Sequence, residues 1–95
     1  MLMTQFEWHE EKRLANLEKH GIDFIDATDI FADFVLCWPS SQTQHSEQRF
    51  VAVGQLDGRL ITVVFTERGE LRRLISARRA RKNEEKRYHH ATQAR

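Results

Sequence analysis

Residues 59–81, RLITVVFTERGELRRLISARRAR, constrain what this chain can fold into more than any other stretch. Residues 60–65 are an unbroken run rich in apolar and β-branched side chains, the composition of a central strand. Arg68-Gly69-Glu70 interrupts the pattern as a turn, with Gly69 free to take a positive φ. Residues 71–77 return as a second strand, and simple alternation puts Leu74 and Ser76 on one side and Arg73, Ile75 and Ala77 on the other. From Arg78 onward the spacing predicts a helix, with Ala80, Glu84, Arg87 and Tyr88 roughly on one side. Arg59, Arg68, Arg72, Arg73 and Arg78 flank the apolar centre of this hairpin. Paired strands hold side chains in place better than loops do, so arginines fixed in this way can grip a phosphodiester.

The net charge of +1 conceals an uneven distribution. Residues 1–67 carry five Lys or Arg against eleven Asp or Glu, whereas residues 68–95 carry ten against three. A basic final third on a nearly neutral chain suits a polyanion, nucleic acid above all, although a charged helix facing solvent has the same composition. A length of 95 residues fits one domain, with Phe6, Trp8, Phe24, Phe31, Trp38, Phe50 and Phe65 available to fill its core. The single cysteine, Cys37, rules out an internal disulfide and reads as a small buried hydrophobe in an apolar strand. No apolar run approaches the ~18 residues of a membrane span, and the first residues lack the pattern of a signal peptide. The expectation is a soluble, cytoplasmic protein.

The rest of the chain supplies the scaffold. Phe6-Glu7-Trp8 alternates like a short edge strand. Residues 10–20 read as a helix, acidic at the start and closed by Lys19 and His20, with Gly21 in place to end it and Leu14 and Leu17 toward the core. Asp23 can cap a second helix running to Ala32 or Asp33, with Phe24, Ala27 and Phe31 on one face. Residues 34–38 read as a strand stopped by Pro39, and residues 39–46 as a polar loop. Residues 47–54 form a further strand, with Glu47, Arg49, Val51 and Val53 on one face, and Asp57-Gly58 turns it into the hairpin. The order predicts an α+β domain: a meander with its helices mainly on one face.

Several kinds of chemistry have no residues to carry them. No histidine pair has the i, i+4 spacing of a helical zinc site, and no phosphate-binding loop, dinucleotide fingerprint or serine-hydrolase elbow is present. No metal or other cofactor is expected. What remains is Lys19-His20 at a helix end, Glu47 and Arg49 on one strand face, and the hairpin arginines. These are the group types needed to cleave RNA without a metal: one group takes the 2′-hydroxyl proton, cations stabilise the dianionic phosphorane, and another proton reaches the 5′-oxygen. Glu47 beside Arg49 reads equally as a solvated pair on an exposed sheet face, worth little energetically. His20 reads equally as a helix-end residue bonding backbone carbonyls.

A set of residues in fixed order carries a further signal. Phe6-Glu7-Trp8, Lys12, Asn16, Lys19-His20-Gly21, Phe24, Ala27, Phe31 and Asp33 form its first half. Glu47, Arg49, Gly54, Gly58-Arg59, Val63-Val64, Thr66, Arg68, Ile75-Ser76-Ala77-Arg78, Ala80, Glu84 and Tyr88 form its second. In these residues the chain resembles the BrnT toxins, ribonuclease halves of type II toxin–antitoxin pairs. The resemblance implies a fold like that of the RelE toxins, a small twisted antiparallel sheet with two N-terminal helices and one C-terminal helix. It implies metal-independent endoribonuclease activity that stops translation, and a BrnA-type DNA-binding antitoxin through which the pair holds operator DNA. The site residues it implies are Lys19, Glu47, Arg59, Arg68 and Arg78. From the residues themselves, His20 is a competing base, a histidine's ordinary pKa of about 6.5 being near working pH, and Arg49, Arg72 and Arg79 are expected as further RNA contacts. His9 departs from the family, which usually has an aspartate after the tryptophan. The rival expectation is a module that binds nucleic acid or a partner through its basic C-terminal third and cuts nothing.

Overall fold

The computed structural model describes residues 5–41 and 47–93. In chain order it contains β1 (Gln5–Glu7), α1 (Glu10–His20), α2 (Phe24–Ala27), a 3-10 turn (Thr28–Ala32), β2 (Val35–Pro39), β3 (Arg49–Leu56), β4 (Arg59–Arg68), β5 (Leu71–Arg79) and α3 (Lys82–Gln93). The five strands form one sheet in the order β1-β5-β4-β3-β2, so the hairpin read from the sequence is its centre. Asp57 and Gly58, with φ of 52° and 77°, make the tight turn between β3 and β4. Gly69 turns β4 into β5 at φ 61°.

The sheet is mixed rather than wholly antiparallel. β2, β3, β4 and β5 pair antiparallel, but β1 pairs parallel with the start of β5, Phe6 opposite Arg72. The two are separated by most of the chain, so no hairpin fixes their relative direction. Helices also lie on both faces. Phe24, Ala27 and Ile30, from α2 and the 3-10 turn, pack on Ala52, Ile61, Val63, Phe65, Leu74 and Ala77 to make the core. α3 lies on the other face, its Glu84 bonded to Thr62 and Arg78 and its Tyr88 ring against Phe34.

Four local differences from the sequence reading have identifiable causes. Leu74 and Ala77 both belong to the core although they lie an odd number of positions apart, because a bulge at Ile75 shifts the register between Val64 and Phe65. The second helix is only one turn of α before it tightens to 3-10; there the Thr28 hydroxyl bonds back to the Ile25 carbonyl at 2.8 Å. Arg78 and Arg79 end β5 instead of opening α3, because strand pairing continues to Arg79 and the Ala80 amide still bonds the Leu60 carbonyl. α3 then starts where the Glu84 carboxylate accepts the Arg81 amide at 2.8 Å, a capping contact.

The fourth concerns α1. Leu14 and Leu17 do not face the core; they are 52% and 38% exposed, and Asn16 is the buried residue of this helix. Beyond Glu7, β1 ends and leaves the outer edge of β5 uncovered. Asn16 closes it: its amide nitrogen donates to the Ala77 carbonyl at 2.8 Å, and its oxygen accepts the Ala77 amide at 3.1 Å. It also donates to the Ile22 carbonyl at 2.9 Å. One side chain thus replaces a strand partner and sets α1 against the sheet edge, which places Lys12, Lys19 and His20 along it. Cys37, expected to be buried, is exposed on the outermost strand.

Candidate active site

Cross-strand partners point to the same face, so the register gives the composition of the face under α3 row by row. Leu36, Val53, Thr62 and Arg78 form one row. Trp38, Val51, Val64 and Ser76 form the next. Arg49, Thr66, Arg73 and Glu7 form a third, and Arg68 lies one step beyond. α3 covers the first row and, through Arg87, one end of the second at Trp38. Over the second row and Arg49 opens a hollow of about 350 Å³ lined by Trp38, Arg49, Ser76, Arg78 and Arg81 among others. Ile75 and Ser76 also border a second depression with Lys12, Asn16, Lys19 and His20. The two adjoin across β5, giving a continuous surface from the α1 lysines to the arginines of β3 and α3.

The three carboxylates on this face differ in how they are held. Glu84 accepts both guanidinium nitrogens of Arg78 at 2.8 Å, the Arg81 amide at 2.8 Å and the Thr62 hydroxyl at 3.0 Å. Burial alone would raise its pKa, but these donors, Arg78 first, outweigh burial and bring it down to about 2. Glu7 takes a 2.6 Å bond from Arg73, whose other nitrogen lies 3.0 Å from His9 Nε2. Among the described residues Glu47 has one partner, Arg68, whose Nη2 lies 3.3 Å from Oε1 and 3.2 Å from Oε2, and both side chains are 46% exposed. Glu84 is therefore saturated, whereas Glu47 has lone pairs to offer.

The cations divide in the same way. Arg78 is locked by Glu84. Among the described residues, Arg49, Arg81, Lys12 and Lys19 have side chains with no hydrogen-bond or ion-pair partner, and all four border the joined hollows. Thr66, between Arg49 and Arg73, is 2% exposed, and its Oγ1 is the one buried side-chain polar atom without a partner among the described residues. A buried hydroxyl left unbonded costs about 1–3 kcal/mol, a local weakness in the sheet.

The structure does not gather all the residues singled out from the sequence. Glu47 and Arg68 meet; β3 begins at Arg49 rather than at Glu47, so Glu47 lies two residues before the strand and is held by Arg68, not by strand pairing. Arg78 shares the face of Arg68, but its partner Thr62 is six residues from Arg68 along β4, about 20 Å. Lys19 and His20 border the hollow from the sheet edge. Arg59 and Arg79 are on the opposite side, around a separate depression with His20, Asp23, Asp26 and Asp57. Arg72 also faces that way, its guanidinium 4.5 Å from the Phe31 ring centroid and 5.3 Å from that of Phe65. Sequence reasoning passed over Thr66 and Arg81 as site residues; only the strand register and the cap of α3 place them here. No three His, Cys, Asp or Glu side chains are grouped to hold a metal ion among the described residues.

A family model described as ribonuclease toxin, BrnT, of type II toxin-antitoxin system matches residues 8–84. The chain belongs to the BrnT family. No curated protein matches it. A BrnT chain is a ribonuclease toxin of a type II pair, with RNA as its substrate class and an antitoxin protein as its partner. The BrnT match takes in β2 to β5 and the Arg78–Glu84 clamp, begins after β1, and stops before Arg87 and Tyr88. Among the described residues no helix is long and apolar enough to cross a membrane.

Proposed function

We propose that this chain is a metal-independent endoribonuclease in which Glu47 is the reactive carboxylate. The observation that carries the proposal is the loose, half-exposed Glu47–Arg68 pair beside the unpartnered guanidinium of Arg49. Glu47 takes the proton of a ribose 2′-hydroxyl, and the freed oxygen attacks the adjacent phosphorus. Arg68 and Arg49 hold the two non-bridging oxygens as charge builds on the phosphorane, which planar guanidinium groups do well. The bond to the 5′-oxygen then breaks, and that oxygen takes a proton from water at this open edge. The products are a 2′,3′-cyclic phosphate and a 5′-hydroxyl. Arg81, Lys12 and Lys19 carry the flanking phosphates across the sheet. Arg78, held by Glu84, positions the start of α3 and with it Arg81. Arg59, Arg72 and Arg79 have no part in this scheme, since they occupy the opposite face.

The partner in this reading is a BrnA-type antitoxin with a DNA-binding domain. It covers the arginine face, relieves the repulsion among the cations and carries the pair to operator DNA; the free toxin cuts RNA in the cytoplasm and halts translation. The test is cleavage of single-stranded RNA by purified protein in EDTA. Cleavage that persists and leaves 2′,3′-cyclic ends is expected. Cleavage abolished by chelator would overturn the metal-free scheme, and intact RNA with retained affinity would make the chain a binding module.

A further inference from the structure

The hollow also presents an aromatic ring that the cleavage chemistry leaves unused. Trp38 is half-buried at the β2 end of the row that continues through Val51, Val64 and Ser76, and it borders the hollow. The guanidinium of Arg87, from α3, lies 3.9 Å from its ring centroid, a cation–π contact that fixes the indole plane. β2 is the last strand of the sheet, so among the described residues no further strand walls off the ring on that side. Arg49 is the diagonal neighbour of Trp38 across the β2–β3 pair, about 7 Å away and within reach of one nucleotide. Single-stranded RNA is bound by this combination of groups: cations for the phosphates and aromatic faces for unpaired bases.

We propose that Trp38 is the stacking platform for one unpaired base of the RNA, next to the phosphate held by Arg49. The inference rests on the ribonuclease reading of this face and adds to it a base subsite. The site takes a base that is free of its complement, so duplex RNA is a poor substrate. Because every base has a stacking face, Trp38 governs affinity more than sequence choice. A tryptophan that only anchored α3 through Arg87 would affect melting but not binding.

The test uses indole fluorescence and cleavage kinetics on the full chain. The probe is a short 2′-deoxy-oligonucleotide, which lacks the attacking hydroxyl and stays intact. It should quench emission of the wild-type protein on saturation. It should leave Trp38→Phe unchanged, because the remaining indole, Trp8, packs edge-on against Phe24 in the core on the far side of the sheet. On RNA, Trp38→Phe should keep KM within about threefold, whereas Trp38→Leu should raise KM about tenfold with kcat little altered. Quenching that survives in Trp38→Phe, or a wild-type KM in Trp38→Leu, would overturn the proposal. Should the wild-type protein bind the oligonucleotide with Trp38 quenched yet leave RNA uncut, the nuclease reading fails and the base subsite stands. Should it cut RNA while Trp38→Leu keeps its KM, only the base subsite fails.

Discussion

The Thr66 hydroxyl and the Glu84 carboxylate are both buried on the open face of the sheet, but one lacks a partner and the other is saturated. That contrast predicts opposite behaviour. Thr66→Val removes an orphaned polar atom at nearly constant volume, so melting should stay level or rise. A clearly lower melting temperature in the variant would show that the hydroxyl is bonded in the folded protein. Glu84 has a folded pKa lowered to about 2 from 4.5. Its stabilisation is therefore complete above the unfolded value and is lost as the pH falls from about 4.5 toward 2. The shift corresponds to on the order of 3 kcal/mol. Melting of the wild-type protein across that window should show an acid limb that Glu84→Gln flattens, together with a lower plateau near neutrality. Arg78→Ala leaves the same carboxylate buried without its main partner and should cost about 3–5 kcal/mol, so any loss of cleavage must be read on the folded fraction.

At the scale of elements, α1 is attached to the sheet by Asn16, and this predicts a steep cost there. Asn16→Leu leaves the Ala77 amide and carbonyl and the Ile22 carbonyl unpaired, and urea unfolding should register a loss of about 3 kcal/mol. The 3-10 turn presses on Gly54: a Cβ there would lie 2.9 Å from Ile30 Cβ, so Gly54→Ala should destabilise by about 1–3 kcal/mol. The same elements mark how far the sequence could be read. The central strands and the Asp57-Gly58 turn were legible because apolar runs and turn residues act locally. The bulge at Ile75 was not, since one extra residue leaves no mark in an apolar stretch, and it reverses which side Ala77 faces. Nor was the orientation of α1: two leucines on a helix suggest a buried face, whereas tertiary context buried the one polar residue able to pair a strand edge. The candidate site was legible as a set of residue types. Its placement was not, because which arginines share a face depends on register.

For the whole molecule, cations from both parts of the chain form a track across one face of the sheet, running from Lys12 and Lys19 over Ser76 to Arg81 and Arg49, with Arg68 further along β4 on the same face. Affinity for a 2′-deoxy-oligonucleotide should fall with salt at a slope of about −3 in log–log form, and Arg81→Gln should reduce that slope by about 0.7. A slope near zero would mean that the track does not hold phosphates. The division of labour between Glu47 and Glu84 is most directly tested by measuring cleavage rate and melting temperature together for Glu47→Gln. A fall of about 10²-fold or more in rate with unchanged melting is the result expected of an accessible base held by one loose arginine. Wild-type cleavage by that variant would contradict the assignment of the reactive carboxylate.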